Sequence, residues 1–149
     1  MASITLFVGS VFGNAENLAS EVKNDIEQQG HSAVIAEAPT LEHVNSADNL
    51  LFISSTTGQG DIPENLLPLV LQMQMQSQFP MLTGKTVGVV ALGDSSYGDT
   101  FCGAGRQIDV LVQELNATVT EPRLDVDACE HFEPYEAVAP WLQKWLQHL

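Results

Sequence analysis

Four short runs, "ITLFV" (4–8), "AVIA" (33–36), "LLFIS" (50–54) and "TVGVVAL" (86–92), are nearly unbroken in apolar and β-branched residues. Such runs mark strands buried on both faces, which occur where helices cover both sides of a parallel sheet. The segments between them are helical in pattern. Leu18, Val22 and Ile26 recur at a helical spacing and stop at Gly30, and "GRQIDVLVQELN" (105–116) puts Ile108, Val112 and Leu115 on one face. "PENLLPLVLQMQMQ" (63–76) predicts a helix with Pro63 near its first turn, and "YEAVAPWLQKWLQHL" (135–149) one that is interrupted or started near Pro140. A short helix over 39–48 and a weaker fifth strand, "ATVTEP" (117–122), complete five βα units. The alternation specifies an α/β doubly wound domain in three layers, spanning 1–149 as one unit.

A chain of 149 residues, 44% hydrophobic, fills one such core without a metal or a disulfide. Only five residues are basic against 19 acidic, a formal net charge of −14. That balance excludes nucleic acid and anionic membrane as expected partners, since both are bound through clustered Lys and Arg, and makes a basic protein surface the natural complement. No positive N-terminal stretch precedes a long apolar one and no apolar run approaches bilayer length, so a cytoplasmic protein is expected. Cys102 and Cys129 are then expected as reduced thiols without a catalytic role. His31, His43, His131 and His148 are dispersed without ligand spacing, which predicts no metal site.

In a doubly wound sheet ligands bind beyond the carboxyl ends of the strands. The segments there are "GSVFGNAE" (9–16), "SSTTGQGDIPEN" (54–65) and "LGDSSYGDTFCGAG" (92–105). All three are longer than the roughly 2–6 residues of an ordinary βα connection and rich in Gly, Ser, Thr, Asn and Asp, a composition suited to wrapping a polar ligand. The first opens onto a helix N-terminus, where unpaired N–H groups and the positive end of the dipole favour a phosphate. Four or five charge-assisted hydrogen bonds at roughly 1.5–3 kcal/mol each contribute about 6–15 kcal/mol before ordering and desolvation costs, so no lysine is required. Repulsion from exposed acids is screened beyond about 8 Å. The loop lacks the Lys-Ser/Thr of a nucleoside-triphosphate loop and does not fit G-x-G-x-x-G. Nothing resembles a nucleophile beside its base, so an enzyme with its own substrate chemistry is not expected.

Taken in this order, the three loops resemble those of flavodoxins, and most of all short-chain flavodoxins of the MioC-like and YqcA type. "STTGQGDIPEN", "ALGDSSY" and "FC" carry the resemblance, which covers essentially the whole chain, and no long insertion splits the fifth strand. It implies a flavodoxin-like five-stranded parallel sheet of order 2-1-3-4-5, FMN as cofactor, and a small one-electron carrier. The implied partners are basic-surfaced redox proteins, an NADPH-dependent flavodoxin reductase and an acceptor enzyme, and the carrier is expected to be a monomer. The implied phosphate loop is Ser10, Val11, Phe12, Gly13, Asn14 and Ala15, with Ser10 and Asn14 supplying side chains; the family often has Thr at the places of Phe12 and Ala15. The implied ring-side residues are Ser55, Thr56, Thr57, Gly58, Gln59, Gly60 and Asp61, then Leu92, Gly93, Asp94, Ser95, Ser96, Tyr97, Phe101 and Cys102. Tyr97 matches the aromatic that stacks on the ring, worth about 0.5–1.5 kcal/mol beyond area burial, while Thr57 lies where many relatives place a second aromatic. Gly58 matches the glycine whose peptide turns over so that its carbonyl accepts from flavin N5–H, a freedom glycine allows. Asp61, Asp94 and Asp99, and more weakly Asp127, add negative potential near the ring.

Two other classes share the fold. A signalling receiver needs an acidic pair after strand one, an aspartate after strand three and a lysine after strand five, and this chain has Ser10, Ser54 or Ser55, and no such lysine. A flavodoxin-like accessory protein with weak or lost FMN binding is the alternative that Phe12, Ala15 and Thr57 encourage.

Overall fold

The periodic segments fold as β1 (Ser3–Gly9), α1 (Asn14–Gln28), β2 (Ser32–Ala36), α2 (Leu41–Ser46), β3 (Asn49–Ser54), α3 (Leu67–Met75), β4 (Thr86–Gly93), α4 (Gly103–Glu114), β5 (Leu124–Asp127) and α5 (Pro134–Leu146), with a 3-10 helix over Ser95–Thr100. The computed structural model describes residues 2–149 apart from 11–12, 37–38, 57–59, 77–79 and 131–132, and leaves out the side chains of Asn14, Tyr97, Asp99 and Thr100. Every pairing in the sheet is parallel and the order is β2-β1-β3-β4-β5, the doubly wound arrangement that the sequence predicts.

Successive strand residues face opposite sides of a sheet, and both sides are apolar. Ile4, Leu6, Val8, Leu51, Ile53 and Val90 join Leu18, Val22 and Ile26 of α1 and the apolar stripe of α5 in one core. Phe7, Leu50, Phe52, Val87 and Val89 join α3 and α4 in the other. Phe7 and Phe52, in register on adjacent strands, stack with centroids 5.0 Å apart. On the α5 side, Gly88 makes room for the stacked pair Trp141 and Trp145, since a Cβ there would lie 2.7 Å from the Trp141 ring. Fully burying a large side chain of this kind stabilises the fold by about 1.5–3 kcal/mol.

The fifth strand departs from the sequence reading. β4 pairs with Leu124–Asp127, and of the expected 117–122 segment only Thr118 bridges the sheet, opposite Thr86. Pro122 has no N–H to give a ladder, and the detour before β5 is fixed otherwise. Trp141 Nε1 donates to the Pro122 carbonyl at 2.9 Å, and Arg123 pairs with Asp109 and Asp125 at 3.0 and 2.7 Å. The third helix likewise begins later than Pro63. The Pro63 carbonyl accepts from Leu66 and Leu67 in a turn, and Pro68 occupies the first helical turn, where its missing N–H is not needed. α4 starts at Gly103 rather than 105, and α5 runs through Pro140. An interior proline costs a helix about 3 kcal/mol, and burial of Val138, Trp141, Leu142 and Trp145 offsets it. Among the described residues no helix is long and apolar enough to cross a membrane.

Candidate functional site

Parallel register decides which loops meet. Gly9 pairs with Ser54, Ser54 with Ala91, and Gly93 with Asp127. The three long loops therefore leave the sheet along one edge, beside the turn that follows β5.

The β1–α1 loop is held by backbone and neutral side chains. A Cβ on Gly9 would lie 2.7 Å from Ser54 Oγ, so any other residue here requires that side chain to shift, and the Ser55 N–H donates to the Gly9 carbonyl at 2.9 Å. The Ser10 N–H donates to Asn65 Oδ1 at 3.0 Å, and Ser10 Oγ accepts from the Gly13 N–H at 2.9 Å. As an acceptor there, the Ser10 hydroxyl keeps its own proton for another partner. Gly13 caps α1 at φ 83, a left-handed conformation, and its carbonyl takes the Asn17 N–H at 3.0 Å. Being a glycine it brings no side-chain acceptor, which leaves the N–H groups of Asn14, Ala15 and Glu16 ahead of the first intrahelical bond. This donor set fits an anion. Ala15 is wholly buried in the α1–α5 core, so its N–H is what it can offer the loop. Glu16, exposed in the first turn, adds a charge of the same sign as a phosphate outside the loop.

The other side is braced differently. Thr56 Oγ1 donates to the Leu92 carbonyl at 3.1 Å and accepts from the Ala104 N–H at 3.4 Å, tying the β3–α3 loop to β4 and α4. Gln107 Nε2 reaches the Gly60 carbonyl at 2.7 Å, and Gly60 lies so close to Gly103 that a Cβ on Gly103 would sit 2.7 Å from its Cα. Asp61 is exposed beside this contact. Asp94 caps the 3-10 helix through its Oδ1, which accepts from the Ser96 N–H at 2.9 Å and the Ser96 hydroxyl at 2.6 Å. The Asp127 Oδ1, at the end of β5, accepts from the Ser95 N–H at 3.0 Å and the Cys129 N–H at 2.9 Å. The Ala128 N–H donates to the Gly93 carbonyl at 2.8 Å, fastening the two strand ends again. Bonds from Ser96 and then Cys129 hold the Asp94 carboxyl below the usual carboxylate range, and bonds from Ser95 and then Cys129 do the same for Asp127. Cys129 Sγ lies 3.0 Å from Asp94 Oδ1, and that hydrogen bond pushes its thiol pKa up.

Both cysteines are free thiols. Cys102 caps α4 at φ 54 with its side chain fully buried, its Sγ 3.5 Å from the Ala91 carbonyl, and burial pushes its pKa up to about 12. Such a thiol is unreactive at neutral pH. The described histidines serve locally: His31 Nδ1 accepts from the Ala2 N–H at 2.9 Å, His43 Nδ1 from the Thr40 N–H at 3.1 Å, and His148 meets Glu121. Asp94, Asp127 and Cys129 bring potential ligand atoms within 4.8 Å of one another, and the bonds above already occupy one oxygen of each carboxylate.

Of the expected site residues, Ser10, Gly13, Ala15, Ser55, Thr56, Gly60, Asp61, Leu92, Gly93, Asp94, Ser95, Ser96, Phe101 and Cys102 lie along this edge, with the backbones of Asn14 and Tyr97. Val11, Phe12, Thr57, Gly58 and Gln59 fall outside the described residues, as do the side chains of Asn14, Tyr97 and Asp99. Sequence reasoning passed over Asn65, Gln107 and Gly103, and the turn-holding bonds of Asp127. Their partners are 55, 47, 43 and 32 positions away, and no local pattern announces them. The stretch "IPEN" does signal that Asn65 sits in a turn.

The geometry agrees with comparison to known proteins. The sequence profile of the family described as Flavodoxin matches residues 6–141. The chain is 40% identical to Flavodoxin YqcA of Escherichia coli over 97% of both chains, and 34% identical to MioC of the same organism over 100% of this chain and 99% of that one. It is 32% identical to the flavoprotein alpha-component of the NADPH sulfite reductase of Bacillus subtilis, covering 98% of this chain and 24% of that protein. Among solved structures, a cysteine-to-alanine mutant of flavodoxin from Pseudomonas aeruginosa superposes with a TM-score of 0.87 at 35% identity, over 96% and 95% of the two chains. A flavodoxin from Fusobacterium nucleatum bound to flavin mononucleotide shares the fold at 0.82 and 16%, over 100% and 99%. With five parallel strands in the order 2-1-3-4-5 and a family match that runs from β1 into α5, this chain belongs to the flavodoxin family.

Proposed function

We propose that this chain binds one FMN non-covalently and carries single electrons, as a cytoplasmic monomer, between a basic-surfaced reductase and an acceptor enzyme. The observation that carries the reading is the sheet register. It brings an α1 N-terminus capped by a glycine, which has no side-chain acceptor, to the same edge as two braced, glycine-containing loops, in a chain of the flavodoxin family. The FMN-bound relative supports the cofactor, and the kinship with a sulfite reductase flavoprotein supports a redox partner.

In this reading FMN supplies the electron-accepting and electron-donating ring. The N–H groups of Asn14, Ala15 and Glu16 and the Ser10 hydroxyl bind the phosphate, with Val11, Phe12 and Gly13 completing that loop. Ser55, Thr56, Thr57, Gly58, Gln59, Gly60 and Asp61 border the ring on one side, and Leu92 to Tyr97, Phe101 and Cys102 on the other, with Tyr97 stacking on it. Asp61, Asp94 and Asp127 oppose the build-up of negative charge beside the ring, which shifts its potential downward. Docking is steered by the net charge of −14. The same charge repels a second copy.

Purified protein is expected to be yellow and to release FMN on denaturation, identified by chromatography against FMN and riboflavin standards. Colourless protein that takes up no added FMN overturns the reading in favour of the accessory protein, for which Ala15, without a hydroxyl, is the supporting residue. Electron transfer to a basic acceptor such as cytochrome c is expected to slow as salt rises, and a rate independent of ionic strength removes electrostatic docking.

A further inference from the structure

Asn65 closes the β3–α3 loop, yet its amide is spent on β1. Its Nδ2 donates to the Val8 carbonyl at 2.8 Å and its Oδ1 accepts from the Ser10 N–H at 3.0 Å. A carbonyl and an N–H two residues apart on one edge are what a neighbouring parallel strand would engage. The opposite edge of β1 is taken by β3, through the Ser55 N–H and the Gly9 carbonyl. On the edge that Val8 and Ser10 present, the last strand pair is Phe7 with Ala36. The Asn65 amide thus engages β1 beyond that pair as a strand residue would, up to the start of the phosphate loop. From Ser10 the chain of bonds goes on: its Oγ accepts the Gly13 N–H, and the Gly13 carbonyl accepts the Asn17 N–H inside α1.

We infer that Asn65 is a positioning residue that sets the preference for a phosphorylated flavin, by holding Ser10 and, through it, the opening of α1 in the geometry that receives the phosphate. The inference rests on the FMN reading above. Only a side chain that both donates and accepts at this length makes both bonds: a carboxylate cannot donate to Val8, an aliphatic side chain does neither, and glutamine is one methylene too long. Because Asn65 belongs to the loop that also carries Thr56 and Gly60, one side chain links the ring side to the phosphate side.

The test separates this role from that of a staple for the fold. Apoprotein is titrated with FMN and with riboflavin, which has the same ring and no phosphate. Asn65→Ala is expected to weaken FMN binding about tenfold, the size expected for two lost neutral hydrogen bonds at a partly solvated site, while riboflavin affinity changes less than about twofold. Amide exchange in the apoprotein is expected to accelerate at Ser10 and Gly13 and to stay unchanged at Ser55, on the other edge of β1. Equal losses for both flavins, or no loss for either, overturn the inference. Wild-type protein that takes up neither flavin overturns the FMN reading and this inference with it, whereas FMN bound equally by wild type and variant overturns only the inference. If Asn65→Ala fails to fold, Asn65→Asp, which keeps an oxygen toward the Ser10 N–H, goes through the same titrations; a larger loss for FMN than for riboflavin is expected, and equal losses overturn it.

Discussion

The β1–α1 loop and the turn that follows β4 do the same mechanical work, each fixing a glycine-containing segment at a strand end, by opposite means. Among the described residues, the first is held by Asn65, Ser10 and backbone groups rather than by a carboxylate. The second is held by Asp94 and Asp127, each of which accepts more than one hydrogen bond on its Oδ1. A carboxylate makes a stronger acceptor than an amide, but beside a phosphate it would oppose the ligand. Neutral bracing at one end and charged bracing at the other fit the proposed reading, in which the phosphate lies at the first. The glycines divide in the same way. Gly13 has nothing within 4 Å of where a Cβ would stand and is needed for its φ of 83, whereas Gly93 and Gly103 are needed because backbone atoms lie 2.7 Å from theirs.

The largest expected effect breaks the Gly60–Gly103 approach by crowding. Gly103→Val forces a branched side chain against the Gly60 backbone and is expected to destabilise the protein by about 3 kcal/mol, at the upper end for overpacking, in urea unfolding. Gly13→Ala meets no atoms but must hold a left-handed φ, and is expected to cost about 1–2 kcal/mol, with Gly13→Asn costing less because Asn tolerates that region. Equal costs for Gly103→Val and Gly13→Ala would end the division between glycines kept for space and for handedness. Asp127→Ala strips the acceptor from the Ser95 and Cys129 N–H groups and is expected to lower the melting temperature by less than either. Asp127→Asn, which keeps an oxygen, restores most of it; if both variants melt alike, the hydrogen bonds are not what the carboxyl contributes.

A pH titration sharpens the same contrast. The folded values of Asp94 and Asp127 are depressed, so their stabilisation is fully present above the unfolded value, about pH 4, and is lost as pH falls through the folded values. Amide shifts of Ser95, Ser96 and Cys129 are expected to move only below about pH 4, while those of Ser10 and Gly13, braced by neutral groups, stay flat over that range. Movement of both sets together would show that the two loops are not held independently. The smallest effect concerns the thiols: at pH 8 iodoacetamide is expected to label Cys129 more slowly than a free cysteine and Cys102 not at all while the protein is folded. Rapid labelling of Cys102 would show that the β4–α4 turn opens readily.

Much of this was legible because periodicity is local. The apolar runs of β1, β3 and β4 and the stripe of Leu18, Val22 and Ile26 appear where the sequence puts them. The fifth strand was misplaced because "ATVTEP" and "LDVD" are both short and no more than half apolar; tertiary anchors, Trp141 on Pro122 and Arg123 on Asp109, decide which one pairs. The start of α3 was misjudged because two prolines compete for one helix start, and the turn at Pro63 is closed by backbone bonds that composition does not show.

The doubly wound class, the acidic surface and the three loops are written in the chain itself, because hydrophobic period, net charge and turn composition are properties of neighbouring residues. Folding in three dimensions was needed to decide that Asn65 bonds β1 as a strand residue would, that Asp127 holds the Ser95 turn, and that Cys102 points into the core. Each depends on groups brought together across more than ten positions of chain by the parallel register, and hydrogen bonds between such groups leave no period in the sequence.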